Sequence, residues 1–292
     1  MRKLIPALAL IAIAFAVAPW AQAETITVQI TKAGFSPATL NAAVGDTVTF
    51  KNADTAAHQV AADNGAFRSP VIQPGRSASQ TLSTPGTIPY HDTMHPAFKG
   101  TLQVFARQVS IDADKRSVVF GSKVRLSGNI SSGEAGQQVL VRRRLCGGDD
   151  FAYVGSFLTQ AGGLWFLRPA PLNNTEYKVI WNEAEDTVTV NVRPQLQLGV
   201  LGRGHFVIKA VAFAQPYRGR YVWVQRFVPK QHSWRNVKRA FFRTVRAGSH
   251  GNRISSVAFR ARIGHGFYLR AVMPKSQVGE CYIAGISNTV RS

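Results

Sequence analysis

The stretch YHDTMHPAFKG, residues Tyr90 to Gly100, stands between a Pro-Gly turn at Pro85-Gly86 and the alternating run TLQVF. His91, Asp92, His95 and Phe98 crowd the end of a predicted strand. Three chemistries fit that crowding: a metal site, the remnant of one, or ordinary loop packing. Strand alternation separates two of the residues, because neighbouring side chains leave a strand on opposite faces. It places Asp92 toward a pocket and turns His91 to solvent.

Working outward, TITVQI, GFSPATLNAAVGDTVTFKN, SASQTLSTPGTIPY and GTLQVF repeat the same period of two, broken by Gly, Pro and Asn-Asp turns. No segment carries a capped helical period. The expectation is an all-β sandwich of about eighty residues.

These residues resemble a cupredoxin of the plastocyanin and amicyanin group. FSPATLNAAVGDTVTFKNADTAAHQV is similar to the first half of that fold and GTIPYHDTMHPAFKGTLQV to the second, together spanning residues 25 to 105. The resemblance implies a Greek-key sandwich holding copper for electron transfer, with a redox partner that it does not identify. It sets His58 on the upstream histidine ligand and His95 on the loop histidine. Asp92 stands where the family has its cysteine and Phe98 where it has its methionine. Asn52 falls on a family asparagine that ties the two ligand loops together.

A blue copper centre needs a thiolate beside two imidazoles. With Asp92 in that place, the implied metal set is His58, Asp92 and His95, which suits Cu(II) or Zn(II). The alternative is a closed, metal-free site in which Asp92 accepts a hydrogen bond from a histidine and Phe98 fills the vacated space. An enzyme is not expected. The sequence has no G-x-S-x-G, H-E-x-x-H or glycine-rich phosphate loop, and Ser69 or Thr93 beside His95 and Asp92 is no mechanism without a placed nucleophile.

Residues 1–23 read as a secretory signal: Arg2 and Lys3, an apolar core, then Ala21-Gln22-Ala23. The apolar core is shorter than the ~20 residues of a membrane span, so a secreted, extracytoplasmic protein without a span is expected. Domains are expected at 24–106, 107–195 and 196–292. The last two look like copies of one immunoglobulin-like unit: GQQVLVRRR lies over GRYVWVQRF, FAYV over WRNV, the Tyr177 strand over the Tyr268 strand, and DTVTV over NTVRS. VRP, Val192 to Pro194, is the expected linker. Cys146 and Cys281 either pair or stay free.

The net charge of +20 is unevenly placed, with 17 Lys/Arg against one Asp/Glu from Leu196 to Ser292. Such a field attracts polyanions, and for an exported protein an anionic cell-surface polymer is a better candidate than nucleic acid. A metal-free adhesion or structural protein is therefore the alternative to copper binding. The run RFVPKQHSWRNVKRAFFRTVR interleaves cations with Trp234, Phe241 and Phe242. It fits a surface that stacks on sugars or bases, or, more simply, a strand pair with aromatics in the core and arginines in solvent. His205, His232, His250 and His265 have no metal-ligand spacing and are expected to be exposed.

Overall fold

The computed structural model describes residues 24–292, so the expected signal segment at 1–23 lies outside the described residues. The protein is all-β. Eight strands build the N-terminal sandwich: β1 (Thr25–Thr31), β2 (Gly34–Ser36), β3 (Thr39–Ala43), β4 (Thr47–Asn52), β5 (Val60–Ala62), β6 (Ser77–Thr81), β7 (Gly86–Asp92) and β8 (Lys99–Phe105). One sheet has the order β2-β1-β4-β6 and the other β3-β8-β7-β5. β1 runs parallel to β4 and β3 parallel to β8, while β7 and β8 are antiparallel.

Alternation sets what each strand buries. β4 turns Val48, Phe50 and Asn52 inward, and β7 turns Ile88, Tyr90 and Asp92 inward, leaving His91 on the outer face. Tyr90 lies edge-on to Phe35 and Phe50, with ring centroids 4.8 and 5.3 Å away, at the heart of the core. Gly100 sits directly across from Tyr90 on β8, and a Cβ there would come within 2.3 Å of the tyrosine ring. The last residue of the opening motif is thus fixed by packing against the first.

The chain leaves this sandwich through Arg107, which donates to the Val44 carbonyl at 3.0 Å, pairs with the buried Asp46 carboxylate and lays its guanidinium 5.6 Å from the Trp181 ring centroid. Beyond it come two more pairs of sheets. In the first, the strand Gln138–Leu145 lies between Ala152–Leu158 and Thr175–Trp181; in the second, Tyr221–Val228 lies between Ser233–Phe241 and Tyr268–Met273. The register breaks at corresponding places, Val141/Arg142 and Val224/Gln225. Pairing sets Val179 opposite Val141 and Ala271 opposite Val224, so Leu269, and not Tyr268, occupies the place of Tyr177. Both Tyr177 and Leu269 are fully buried, whereas Tyr268 faces out. One staple also recurs: Asp186 accepts from the Ile111 amide and Asn288 from the Leu198 amide.

The expected VRP linker is not one. Val192 and Arg193 end the strand Ala184–Arg193, Val192 is wholly buried, and Pro194 alone precedes the strand Gln195–Gly202. The seam around it is closed by the Cys146–Cys281 disulfide, by the Ile283 amide donating to the Val192 carbonyl, and by Tyr282. The Tyr282 hydroxyl reaches the Leu172 carbonyl at 2.8 Å in one unit and accepts from the Phe213 amide at 2.9 Å in the other. Buried apolar residues of the two units form one continuous cluster, separate from the N-terminal core.

The basic strand pair departs from the simpler expectation. Phe242 is buried, but Phe241 is outward and exposed, and Trp234 shares that face with Arg270. The β-bulge and the small inward residues Val222, Val224 and Ala240 explain this, since they fill the core without aromatic help. His205, His232, His250 and His265 are all exposed.

Candidate metal centre

The N-terminal site forms where β7 ends and its neighbours meet it. Asp92 is the last residue of β7, opposite Val60 of β5, and His58 lies two residues before Val60, bridged to Ile72 through backbone hydrogen bonds. Equal parity aims both side chains inward, and both are completely buried. His95 comes from the turn between β7 and β8 and is 39% exposed, so the site has one edge at the surface.

Asp92 organises the cluster. The Nδ1–H groups of His58 and His95 donate to its Oδ2 at 2.5 and 3.2 Å, while the Gln59 and Met94 amides donate to Oδ1 at 3.2 and 2.9 Å. Burial works to raise the pKa of this carboxyl. The hydrogen bonds, led by His58, outweigh burial and hold it below the usual carboxylate range. One ligand-capable atom from each of His58, Asp92 and His95 lies within 4.8 Å of the others.

Phe98 stacks on both imidazoles, its centroid 5.9 Å from His58 and 5.6 Å from His95. It offers no donor and covers one side of each ring. The two features expected of a closed site, a carboxylate accepting from histidine and a phenylalanine against the rings, are therefore both present.

Asn52 is buried, and its amide donates to the carbonyls of Ala56 and Ile72 at 2.7 and 2.8 Å while its oxygen accepts from the Asp54 amide. It tethers the loop before His58 to the Ile72 segment, and not to the loop that carries His95. His91 pairs with Asp63 on the outside at 2.5 Å. The Ser69 hydroxyl donates to the Pro70 carbonyl and that of Thr93 to Gln59, so neither is directed to a histidine.

One residue escaped the sequence reading. Asp54 brings Oδ2 to 3.4 Å from His58 Nε2, a buried atom that otherwise has no hydrogen-bond partner. The Thr55 amide and His58 hold the Asp54 carboxyl below its ordinary range against a partial burial effect. Its four-residue spacing from His58 in DTAAH was the available signal.

Residues 4–104 match the family model described as a cupredoxin-like domain. Amicyanin of Paracoccus denitrificans is 33% identical over 95 residues, which are 30% of this chain and 72% of amicyanin. The chain belongs to the cupredoxin family. Among solved structures, the cupredoxin domain is similar to a mutant of amicyanin in its Cu(I) form, at 31% identity over 28% of this chain and 82% of that one, with a TM-score of 0.27. It is also similar to a purple cupredoxin from Nitrosopumilus maritimus, at 26% identity over 27% of this chain and 99% of that one, TM-score 0.26. No helix of the described residues is long and apolar enough to cross a membrane.

Proposed function

We propose that this protein is an extracytoplasmic copper-binding cupredoxin whose ligands are His58, Asp92 and His95. The observation that carries the reading is the convergence of both Nδ1 atoms on one carboxylate oxygen. Donors 2.0–2.1 Å from a tetrahedral metal stand ~3.3 Å apart, so His95 and Asp92, at 3.2 Å, already have that spacing. The His58–Asp92 pair is closer because a hydrogen bond joins it, and it would have to open to hold copper.

The contact of His58 with Asp54 supports the same conclusion. Nε2 of His58 faces the Asp54 carboxylate at 3.4 Å. With copper held at Nδ1, His58 would carry its proton on Nε2 and donate it to Asp54, the arrangement that orients metal-bound histidines elsewhere. The His95 edge admits the ion, and Phe98 covers one side of each ring. Bound here, copper supplies a Lewis-acidic ion with one accessible electron step. The hard carboxylate and the missing sulfur favour Cu(II), so the site suits binding more than rapid electron exchange, and it accepts Zn(II) as well. We read the protein as a carrier or binding protein rather than an enzyme, with residues 107–195 and 196–292 as immunoglobulin-like modules. The disulfide supports an oxidising compartment and with it the export signal.

The test is titration of the metal-free protein with Cu(II), followed by absorption and paramagnetic resonance. One equivalent should bind without an intense blue band and with the wide copper hyperfine splitting of a nitrogen-oxygen site. His95→Ala should abolish the signal, and Asp92→Cys should bring strong colour. Absence of a saturable one-to-one signal, or its survival in both His58→Ala and His95→Ala, overturns the proposal.

A further inference from the structure

The C-terminal unit holds its cations in an unusual way. Along Tyr221–Val228, Val222 and Val224 are buried, while Tyr221 and Trp223 alternate with them on the outward face. Arg239 of the neighbouring strand places its guanidinium 5.6 Å from the Tyr221 centroid and 5.4 Å from that of Trp223. Arg270, on the other side, lies 4.2 Å from the Trp234 centroid and donates from Nε to Gln225 at 2.8 Å. Rings thus fix two guanidinium planes on one sheet face.

No carboxylate neutralises them. Among the described residues, none of the ion pairs involves a side chain from Leu196 to Ser292. The same edge strand, Ser233–Phe241, also borders an open groove of about 560 Å³ whose charged lining is Lys238, Arg239, Arg243 and Arg260, with no acid. Arg239 belongs to both the face and the groove, so the positive surface is continuous around the edge.

We propose that this outward face and the basic groove along its Ser233–Phe241 edge bind an acidic polysaccharide. The ligand class follows from which groups are left free. Base stacking on single-stranded nucleic acid needs open aromatic faces, and those of Tyr221, Trp223 and Trp234 lie under guanidiniums. What projects is a set of planar donor forks that match carboxylates in two hydrogen bonds each. The rings that stay open, Phe241 at 47% and Tyr268 at 53% exposure, offer the apolar patches on which pyranose C–H faces pack. A repeating carboxylate polymer meets several forks at once, whereas a single small anion meets one.

The experiment measures binding of the full chain to polygalacturonate, to oligothymidylate of matched charge and to neutral dextran, at low and at physiological salt. The structure predicts saturable binding to polygalacturonate that weakens with salt, less to oligothymidylate and none to dextran. Arg239→Gln with Arg270→Gln should weaken polygalacturonate binding about tenfold or more, the scale of one lost charge-assisted contact. Lys209→Gln with Arg246→Gln removes equal charge from the opposite sheet and should change it less than about threefold. Arg239→Lys with Arg270→Lys keeps charge and fold but loses the planar forks, and should still weaken binding several-fold. Equal losses in the two glutamine pairs, full binding by the lysine pair, tighter binding of oligothymidylate, or no binding of polygalacturonate would each overturn the proposal.

Discussion

Asp92 and Arg270 are held in opposite ways. Asp92 is completely buried and has four donors on two oxygens, so its charge is spent inside a pocket. Arg270 is packed on a tryptophan, has a neutral glutamine for company and meets no acid. The middle unit shows that neither arrangement is forced by the scaffold. There Lys178 lies over Phe151 as Arg270 lies over Trp234, yet Lys178 pairs with Glu185 and nearby Arg144 with Glu176. Tyr268 stands where Glu176 stands. A sandwich thus carries a point site when its charge is saturated by inward hydrogen bonds, and a surface site when ring-stacked cations lack counter-ions.

The largest expected effect tests whether the two later units are one body beside an independent N-terminal domain. Reducing the Cys146–Cys281 bridge, which spans 135 residues, or replacing both cysteines by serine, should cost their shared core about 4–5 kcal/mol in the chain-entropy account. Calorimetry should show that transition falling while the N-terminal one stays in place. A shift of both would break the comparison.

Next is Asp92 itself. Asp92→Ala strands the Gln59 and Met94 amides and should destabilise the N-terminal domain by about 2–4 kcal/mol in chemical denaturation. Asp92→Asn keeps the Oδ1 acceptor and donates to His58 Nδ1, moving the histidine proton to Nε2 beside Asp54. It should cost less than about 1 kcal/mol while still weakening copper binding. Comparable losses in the two variants would show that hydrogen-bond saturation is not what holds the site.

The lowered Asp92 pKa gives a smaller effect with a definite sign. A group whose pKa is depressed on folding stabilises the fold above its unfolded value of about 3.9, and loses that contribution as pH falls toward the native value. The metal-free N-terminal transition should therefore drop below about pH 4 by more in the wild type than in Asp92→Asn. Parallel pH profiles would remove Asp92 from the account.

The smallest effect in stability is a sharp one in function. Tyr268→Glu copies the middle unit by adding a carboxylate to the ring-stacked face. A solvent-exposed ion pair is worth about 0–1 kcal/mol, so the thermal midpoint should hardly move, while polygalacturonate binding falls. Unchanged binding would separate the ligand surface from the missing acids.

The sequence by itself determined the all-β fold, the inward aim of Asp92 and the outward aim of His91, because a strand's period of two is a property of the backbone alone. That His58 and His95 share one site was implied by the resemblance to the cupredoxin motifs. Only the tertiary structure decided that Asn52 serves the Ile72 segment, that Asp54 faces the far nitrogen of His58, and that Cys146 meets Cys281 across 135 residues. Those are contacts between segments whose relative placement depends on the whole core. The basic strand misled for the same reason: interleaved arginines and aromatics read alike in either orientation. Which face turned inward was settled by Val222, Val224 and Ala240, small enough to fill a core that has no room for the tryptophans.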